Sequence, residues 1–418
     1  MMLNFSEIPS VPQPGSAAYM HGNMADALAL VREGRLQEAS DMLMRHGKGE
    51  AGATAQARPM PAQPTSRFSD LAARGLTGVQ DVLNKLERLA KNAPSACASS
   101  APAHAAAANR SAPNTQHTAP SASEPGRFES VVFTHKGASH PYHLYSPKAS
   151  APKGGRPLVM MLHGCTQDAR NFARGTRMNA TSETAGALVL YPTQSQGANA
   201  NGCWNWFRPE DQQAGAGEPA LLLSMVRHAM AAQAVDPQRI YVAGLSAGGA
   251  MAAVMAQQYP DVFAAVGVHS GLAAGAAHNM IGALSAMKSG AKGWSAPSAQ
   301  GGSRSVPMIV MHGDADATVH RRNGEQLLQG AAAGIATTVQ TQEKGVIADG
   351  QRYTRTCVVD PSVPDAVLAE HWLLHGAGHA WSGGDARGSY ASPNGVNASA
   401  EMLRFFLTHR GNGAAPGG

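Results

Sequence analysis

The sequence predicts an α/β fold, a mostly parallel central sheet flanked by helices, and three observations carry that expectation. From about Phe128 onward, apolar or β-branched runs alternate with helical patterns. Several runs, "PLVMMLHG" and "RIYVAGLS" among them, are continuously apolar, as strands buried on both faces are. In "IYVAGLSAGGAM" such a strand passes through a glycine-serine turn straight into a helical pattern.

Taken in order, "ESVVFTH" and "YHLYSPK" read as an opening antiparallel pair. "PLVMMLHG", "ALVLYPTQ", "RIYVAGLS", "FAAVGVHSG", "PMIVMHGDAD" and "VLAEHWLLHG" read as the successive strands. Helical patterns at Glu218 to Gln233, Ala247 to Tyr259 and Asn397 to Arg410 supply crossovers and a closing helix. Ahead of this domain, residues 24–46 carry apolar residues at helical spacing around Gly34, which predicts two short helices. Residues 67–92 carry Val79, Val82, Leu83, Leu86 and Leu89 on one helical face. The chain thus divides into a helical N-terminal extension with an internal linker over 1–92, an Ala/Ser/Pro-rich linker over 93–127, the α/β domain over 128–410 and a flexible tail over 411–418.

Composition narrows the function classes. The net charge of +5 comes from basic residues only slightly outnumbering acidic ones, and no basic run tracks a phosphate backbone, so nucleic acid is excluded as the expected partner. No apolar stretch approaches the roughly 18 to 20 residues that a membrane span needs. The opening "MMLNFSEIPSVPQPG" lacks a basic and an apolar region in series, which makes the cytoplasm the default expectation. Four cysteines in 418 residues are no disulfide scaffold, though one isolated bridge stays open; Cys97 and Cys357 are expected to be free.

The chemistry concentrates in short motifs at strand ends. In Gly244-Leu245-Ser246-Ala247-Gly248 the glycines let the chain turn sharply, presenting the Ser246 hydroxyl above the sheet beside a helix N-terminus. Ser246 is the candidate nucleophile. It needs a base and a carboxylate to orient that base, which in α/β-hydrolases follow in the order serine, acid, histidine. "MHGDADATVH" offers Asp314 and Asp316, and "LLHGAGHAWSGG" offers His375 and His379, each just beyond a strand. Asp316 lies farther into its loop and is assigned as the acid, while Asp314 is assigned to the turn. His379, in a glycine-flanked loop, is assigned as the base, and His375 to a structural hydrogen bond. A zinc pair of His375 with His379 lacks a third ligand, so no metal and no cofactor are expected. The oxyanion of acyl transfer needs two donors: the N–H of Ala247, after the nucleophile, and an N–H from "HGCTQ", namely that of Cys165.

With these pieces placed, residues 128–410 resemble the polyhydroxybutyrate depolymerase family of esterases, which is similar to bacterial feruloyl and acetylxylan esterases and has the α/β-hydrolase fold. "LHGCTQ", "GCWNWF", "GLSAGGAM", "MHGDAD" and "HGAGHAWSGG" carry the resemblance in the family's order, and "ASAEMLRFFLTH" adds to it. It implies Ser246, Asp316 and His379 as a triad, Cys165 and Ala247 as oxyanion donors, and a disulfide between Cys165 and Cys203. It also suggests export, against the default from the N-terminus. Where the family has a GDPAF-like stretch, this chain has Gly217-Glu218-Pro219-Ala220-Leu221, which keeps the carboxylate with a longer reach; "HNMIGAL" is less polar than the family's loop.

Trp204, Trp206 and Phe207 in "NGCWNWF" stand open to two readings, as the lining of a cleft for an apolar or aromatic ester or as a plug against the core. Trp204, Trp206 and Trp381 are the expected substrate-binding residues. The expected substrate is a short-chain 3-hydroxyalkanoate ester, with feruloyl or acetylxylan esters as the rival. A non-enzymatic rival is a granule-associated binding protein. For the N-terminal extension a surface, a partner and the chain's own α/β domain stand open as what it binds, and helical periodicity does not choose among them.

Overall fold

The structure, a computed structural model, describes residues 125–296, 305–333, 337–361 and 367–413. The helices expected over 24–46 and 67–92, Cys97, the linker up to residue 124 and the last five residues of the tail lie outside the described residues.

Ten strands form one sheet. Its first edge is antiparallel: β1 (Arg127–Val131) lies on β4 (Tyr142–Ser146), and β4 on β6 (Leu188–Pro192). Between β1 and β4, the short ribbon of β2 (Thr134–His135) and β3 (Ala138–Ser139) reverses through Lys136 and Gly137, both at positive φ, the backbone that a two-residue hairpin turn requires. The parallel body then runs from β6 through β5 (Arg156–Leu162), β7 (Val235–Leu245), β8 (Ala265–His269) and β9 (Met308–Gly313) to β12 (Val367–Leu374). β11 (Arg352–Val359) and β10 (Val339–Val346) close the far edge antiparallel.

Every residue of β5, β6 and β8 is buried, because helices cover both faces. Side chains alternate between faces along a strand. Leu158, Met160 and Leu162 of β5 therefore enter a core shared with α3 (Gly217–Ala232), α4 (Ala247–Gln258), α5 (Met280–Ser289) and α6 (Arg322–Ala331). Val159 and Met161 enter the opposite one, against α1 (Ala169–Thr176), α2 (Met178–Ala185) and α7 (Ala398–Leu407). α4 is buried along ten successive residues, Ala247 to Ala256, and is apolar all round accordingly. Among the described residues, no helix is long and apolar enough to cross a membrane.

The strand list drawn from the sequence omits β10. The reason is visible in β10: "VQTQEKGV" is exposed along nearly its whole length. An edge strand with no buried face has no hydrophobic alternation to read, and Lys344 and Glu343 suit an edge that must not pair further.

The far edge is tied to the closing helix through one carboxylate. Glu370 of β12 accepts from Arg355 of β11 (2.8 Å), from Arg404 of α7 (2.6 Å) and from Trp372 Nε1 (3.1 Å). Burial alone would raise its pKa, but the two guanidinium groups hold it below the ordinary glutamate value. Replacement Glu370→Leu leaves the buried indole N–H without its acceptor and takes one partner from each arginine, Arg404 keeping Glu401 and Arg355 keeping Glu343. We expect it to cost about 3 kcal/mol of stability, read as a lowered denaturant midpoint; a shift under about 0.5 kcal/mol would remove this role from Glu370.

Candidate active site

β5, β7, β9 and β12 are parallel, so the loops that follow them open at the same end of the sheet, where α/β proteins gather their chemistry. At the end of β7, Ser246 holds φ 58° and ψ −120°, a strained backbone for a residue with a Cβ. The flanking glycines explain why the turn closes. A Cβ on Gly248 would stand 2.0 Å from Leu162 O and 2.5 Å from His163 O, and one on Gly244 would stand 2.3 Å from Gly248 O. Ser246 donates its N–H to His269 O (2.9 Å) and occupies the N-cap of α4, yet its side chain makes no capping hydrogen bond. Serine ordinarily caps from this position; here its hydroxyl is not spent on the helix.

The four acid and histidine candidates sort into two pairs. Asp316 Oδ2 accepts from His379 Nδ1 (2.8 Å), while its Oδ1 accepts from the N–H groups of Thr318 (2.9 Å) and Val319 (2.8 Å). Asp314 Oδ2 accepts from His375 Nδ1 (2.8 Å), and its Oδ1 from Gly376 N (2.7 Å). Two differences separate them. The Asp316 carboxylate is fully buried and His379 is 11% exposed, whereas both members of the other pair are 30% exposed. The second ring nitrogen of His375 is also taken, by Thr354 Oγ1 (2.9 Å). Burial pushes the Asp316 pKa up, but the hydrogen bond and charge of His379 and the Val319 N–H outweigh it, and the net shift is downward. An ionised Asp316 only accepts, so the His379 proton sits on Nδ1 and Nε2 keeps its lone pair.

Two further histidines line this end. His269 is wholly buried and stacks on Trp381 (centroids 5.2 Å apart). Its Nε2 accepts from Ser382 N (3.2 Å), tying the His379 loop to the strand whose carbonyl holds Ser246. Burial first, then the neighbouring His312 and His379, push its pKa down to about 3, so it is neutral beside the pair. His312 Nε2 donates to Val319 O (2.8 Å) and supports the turn that carries Asp316. Neither was singled out from the sequence, since an apolar strand with one histidine at its end carries no distinguishing pattern.

The loop after β5 runs alongside Ser246: a Cβ on Gly164 would lie 3.6 Å from Ser246 Cβ. Gln167 folds back so that its Oε1 accepts from Gly164 N (2.9 Å), and Thr166, at φ 64°, donates its N–H to Asn201 O (2.8 Å). Between them the Cys165 N–H is left with no acceptor among the described residues. Ala247, first residue of α4, has no intrahelical acceptor for its own. Gln167 lies within a motif read from the sequence, but its role there was missed because it depends on a hydrogen bond back across the turn.

A disulfide joins Cys165 to Cys203, and Cys357 is free. The bridge anchors the tryptophan loop, and here one expectation is corrected. Trp204 and Trp381 are each 1% exposed, and Trp206 and Phe207 are buried too. None of these indoles offers a face to a ligand. Trp204 packs on His163 (5.5 Å) and Trp381 donates Nε1 to Ser399 Oγ (3.1 Å). The physical cause is Glu218. Its carboxylate accepts from the backbone N–H and the side-chain amide of Asn205 (2.8 and 2.6 Å) and from Gln194, drawing the loop inward between the two tryptophans. Both carboxylate oxygens of Glu218 are thus spent on holding this loop. Burial, then the charge of Asp211, raises the Glu218 pKa to about 7.

Among the described residues no group of three His, Cys, Asp or Glu side chains is arranged to hold a metal ion. A doubly wound, mostly parallel sheet with a serine at a strained strand-to-helix elbow and an acid-held histidine at the same sheet end defines the α/β-hydrolase class. Residues 140–338 match the family model described as esterase PHB depolymerase. The match takes in Cys165, Ser246 and Asp316 but ends before His379. The region is 40% identical over 147 residues to poly(3-hydroxyalkanoate) depolymerase C of Paucimonas lemoignei, 35% of each chain. It is 35% identical over 132 residues to feruloyl esterase B of Neurospora crassa, 31% of this chain and 44% of that protein. To a probable acetylxylan esterase A of Neosartorya fischeri it is 28% identical over 205 residues, 43% of this chain and 52% of that protein. The chain thus spans from about a third to about half the length of these curated relatives.

The raised Glu218 pKa gives a pH dependence with a definite sign. A carboxyl whose folded pKa lies above its unfolded value of 4.5 stabilises the fold fully only below that value, and its contribution is lost as pH rises towards about 7. The gap in urea midpoint between wild type and Glu218→Gln is therefore expected to change between pH 4.5 and 7 and to level off above. A gap that stays constant across this range would show that Glu218 titrates normally.

Proposed function

We propose that the chain is a serine-dependent carboxylic ester hydrolase that works through an acyl-enzyme on Ser246, with short-chain 3-hydroxyalkanoate esters as its substrates. The observation that carries this reading is the buried Asp316–His379 hydrogen bond, which leaves His379 Nε2 basic at the sheet end where the Ser246 hydroxyl is unspent.

In the proposed cycle His379 Nε2 takes the Ser246 proton as Oγ adds to the ester carbonyl. The oxyanion so formed accepts from the N–H groups of Cys165 and Ala247. As the carbonyl re-forms, the bond to the alcohol oxygen breaks, and that oxygen takes the proton from His379. A water, deprotonated by His379, then adds to the acyl-enzyme; Ser246 leaves with the proton and the carboxylic acid is released. The ionised Asp316 keeps the His379 proton on Nδ1 throughout and stabilises the transient imidazolium.

The hydroxyalkanoate substrate is favoured by the 40% identity to a protein named poly(3-hydroxyalkanoate) depolymerase C. The relatives named feruloyl and acetylxylan esterase favour the second reading, esters of plant polysaccharide. Release rates from hydroxybutyrate oligomers, feruloyl esters and acetylated xylan, measured on one preparation, choose between them.

For a soluble butyryl ester, Ser246→Ala is expected to lower turnover by about 10⁴-fold or more, and Asp316→Asn by about 10⁴-fold through loss of the correct histidine tautomer. Undiminished hydrolysis by Ser246→Ala would sink the assignment. Cys203→Ser frees the loop that carries the Cys165 N–H and is expected to reduce kcat by about tenfold to a hundredfold, less than the loss of about a hundred- to a thousandfold for removing one oxyanion donor outright. An unchanged kcat would remove the bridge from the mechanism.

A further inference from the structure

Tyr390 lies in none of the motifs considered above, yet it abuts the proposed base. Its ring stands edge-on to that of His379, with centroids 6.4 Å apart and planes at 76°. It is 48% exposed, while the tryptophans first expected to meet a ligand are buried. Its backbone holds φ 51°, in the left-handed region that residues with a Cβ rarely take. Conformations of this kind persist where the surroundings over-determine them, and they gather at functional sites.

The surroundings of Tyr390 do over-determine it. Its carbonyl accepts from Trp381 N (2.7 Å), and Ser392 N donates to Trp381 O (2.8 Å), so the segment is laced to the stretch just after His379. On the other side Ser389 donates from N and Oγ to Asn171 Oδ1 (3.1 and 2.7 Å). Gln167 Nε2 donates to Ser389 O (2.7 Å), and this is the same Gln167 whose Oε1 closes the loop around Cys165. The exposed ring is thus fixed on a rigid segment strapped to the His379 loop and to the proposed oxyanion loop.

We propose that Tyr390 is a specificity-determining residue that contacts the alcohol portion of the ester. The proposal rests on the serine esterase reading. In that cycle the carbonyl carbon is bound to Ser246 with its oxygen towards the Cys165 and Ala247 N–H groups, and the departing alcohol oxygen receives the proton from His379. The alcohol therefore lies beside His379 when the C–O bond breaks, and the aromatic surface exposed there is that of Tyr390. An apolar or aryl alcohol would bury its surface on this ring. A small alcohol such as ethanol would gain little.

The test uses the full chain and two ester series. In the first, butyrate is esterified with ethyl, hexyl and benzyl alcohols; in the second, ethyl alcohol is esterified with acetic, butyric and hexanoic acids. Tyr390→Ala is expected to lower the benzyl-to-ethyl ratio of kcat/KM at least fivefold, and to leave the ratios within the acyl series within twofold of wild type. Tyr390→Phe should keep the wild-type ratios. Tyr390→Gly, which relieves the left-handed backbone, gives a second truncation if the alanine variant does not fold. Equal losses across both series, or a change confined to the acyl series, would overturn the proposal. Ser246→Ala run in parallel tests the esterase reading separately, since turnover surviving in that variant would overturn the reading itself.

Discussion

The approach of α4 to the end of β5 sets the terms for the rest of this site. Gly248 sits so close to the carbonyls of Leu162 and His163 that no Cβ fits. Because that contact is permitted, the chain can leave β7, turn within one strained residue and enter a buried helix without opening a gap in the sheet. The strain at Ser246 follows from this geometry and is held by the Ser246 N–H to His269 O hydrogen bond. The same closeness brings Gly164 against Ser246, so the proposed oxyanion loop and nucleophile are positioned by one packing constraint.

Around that point the structure divides its polar groups by task. Asp314 and His375 use up their hydrogen-bonding capacity on each other, Gly376 and Thr354, which makes them a brace between β9, β11 and β12. Asp316 and His379 differ in one respect that matters chemically: the ring keeps a nitrogen with no acceptor or donor assigned to structure. A neutral His269, held so by burial, supports the loop of His379 without adding a competing positive charge. That combination suits the base role proposed for His379.

Much of this was legible in the sequence, for a physical reason. Parallel strands buried on both faces are apolar throughout, so their ends are marked by the first glycine or polar residue, and Ser246, Asp316 and His379 all stand just past such a mark. Reach singled out Asp316 over Asp314, and the structure pairs each with a histidine, Asp316 with the more buried one. The burial of Trp204, Trp206 and Trp381 could not be read in this way. A loop reading "NGCWNWF" has the composition of an exposed turn, and what draws it inward is the carboxylate of Glu218, more than ten residues further along the chain. β10 escaped because its side chains have no buried face, and Tyr390 because a strained backbone and a ring contact leave no trace in residue spacing.

The burial of the indoles changes how the rigidity of the site is understood. The tryptophan loop is fixed from behind by Glu218, packed on His163 and bonded by Cys203 to Cys165, so it acts as a buttress for the backbone around the proposed oxyanion donor. His163 completes the link. Its Nε2 accepts from Gln194 N and its Nδ1–H donates to Gly164 O, while Gln194 also holds Glu218. A loop supported in this way resists displacement as negative charge develops on the substrate oxygen, which is what preorganised stabilisation requires. The proposed contact with the variable part of a substrate then lies on the less enclosed side, between the His379 loop and the segment that Gln167 and Asn171 hold. The scaffold thus separates two demands on one small region: the face proposed to bind the oxyanion is braced by buried aromatics and a disulfide, and the face proposed to meet the rest of the ester carries an exposed one.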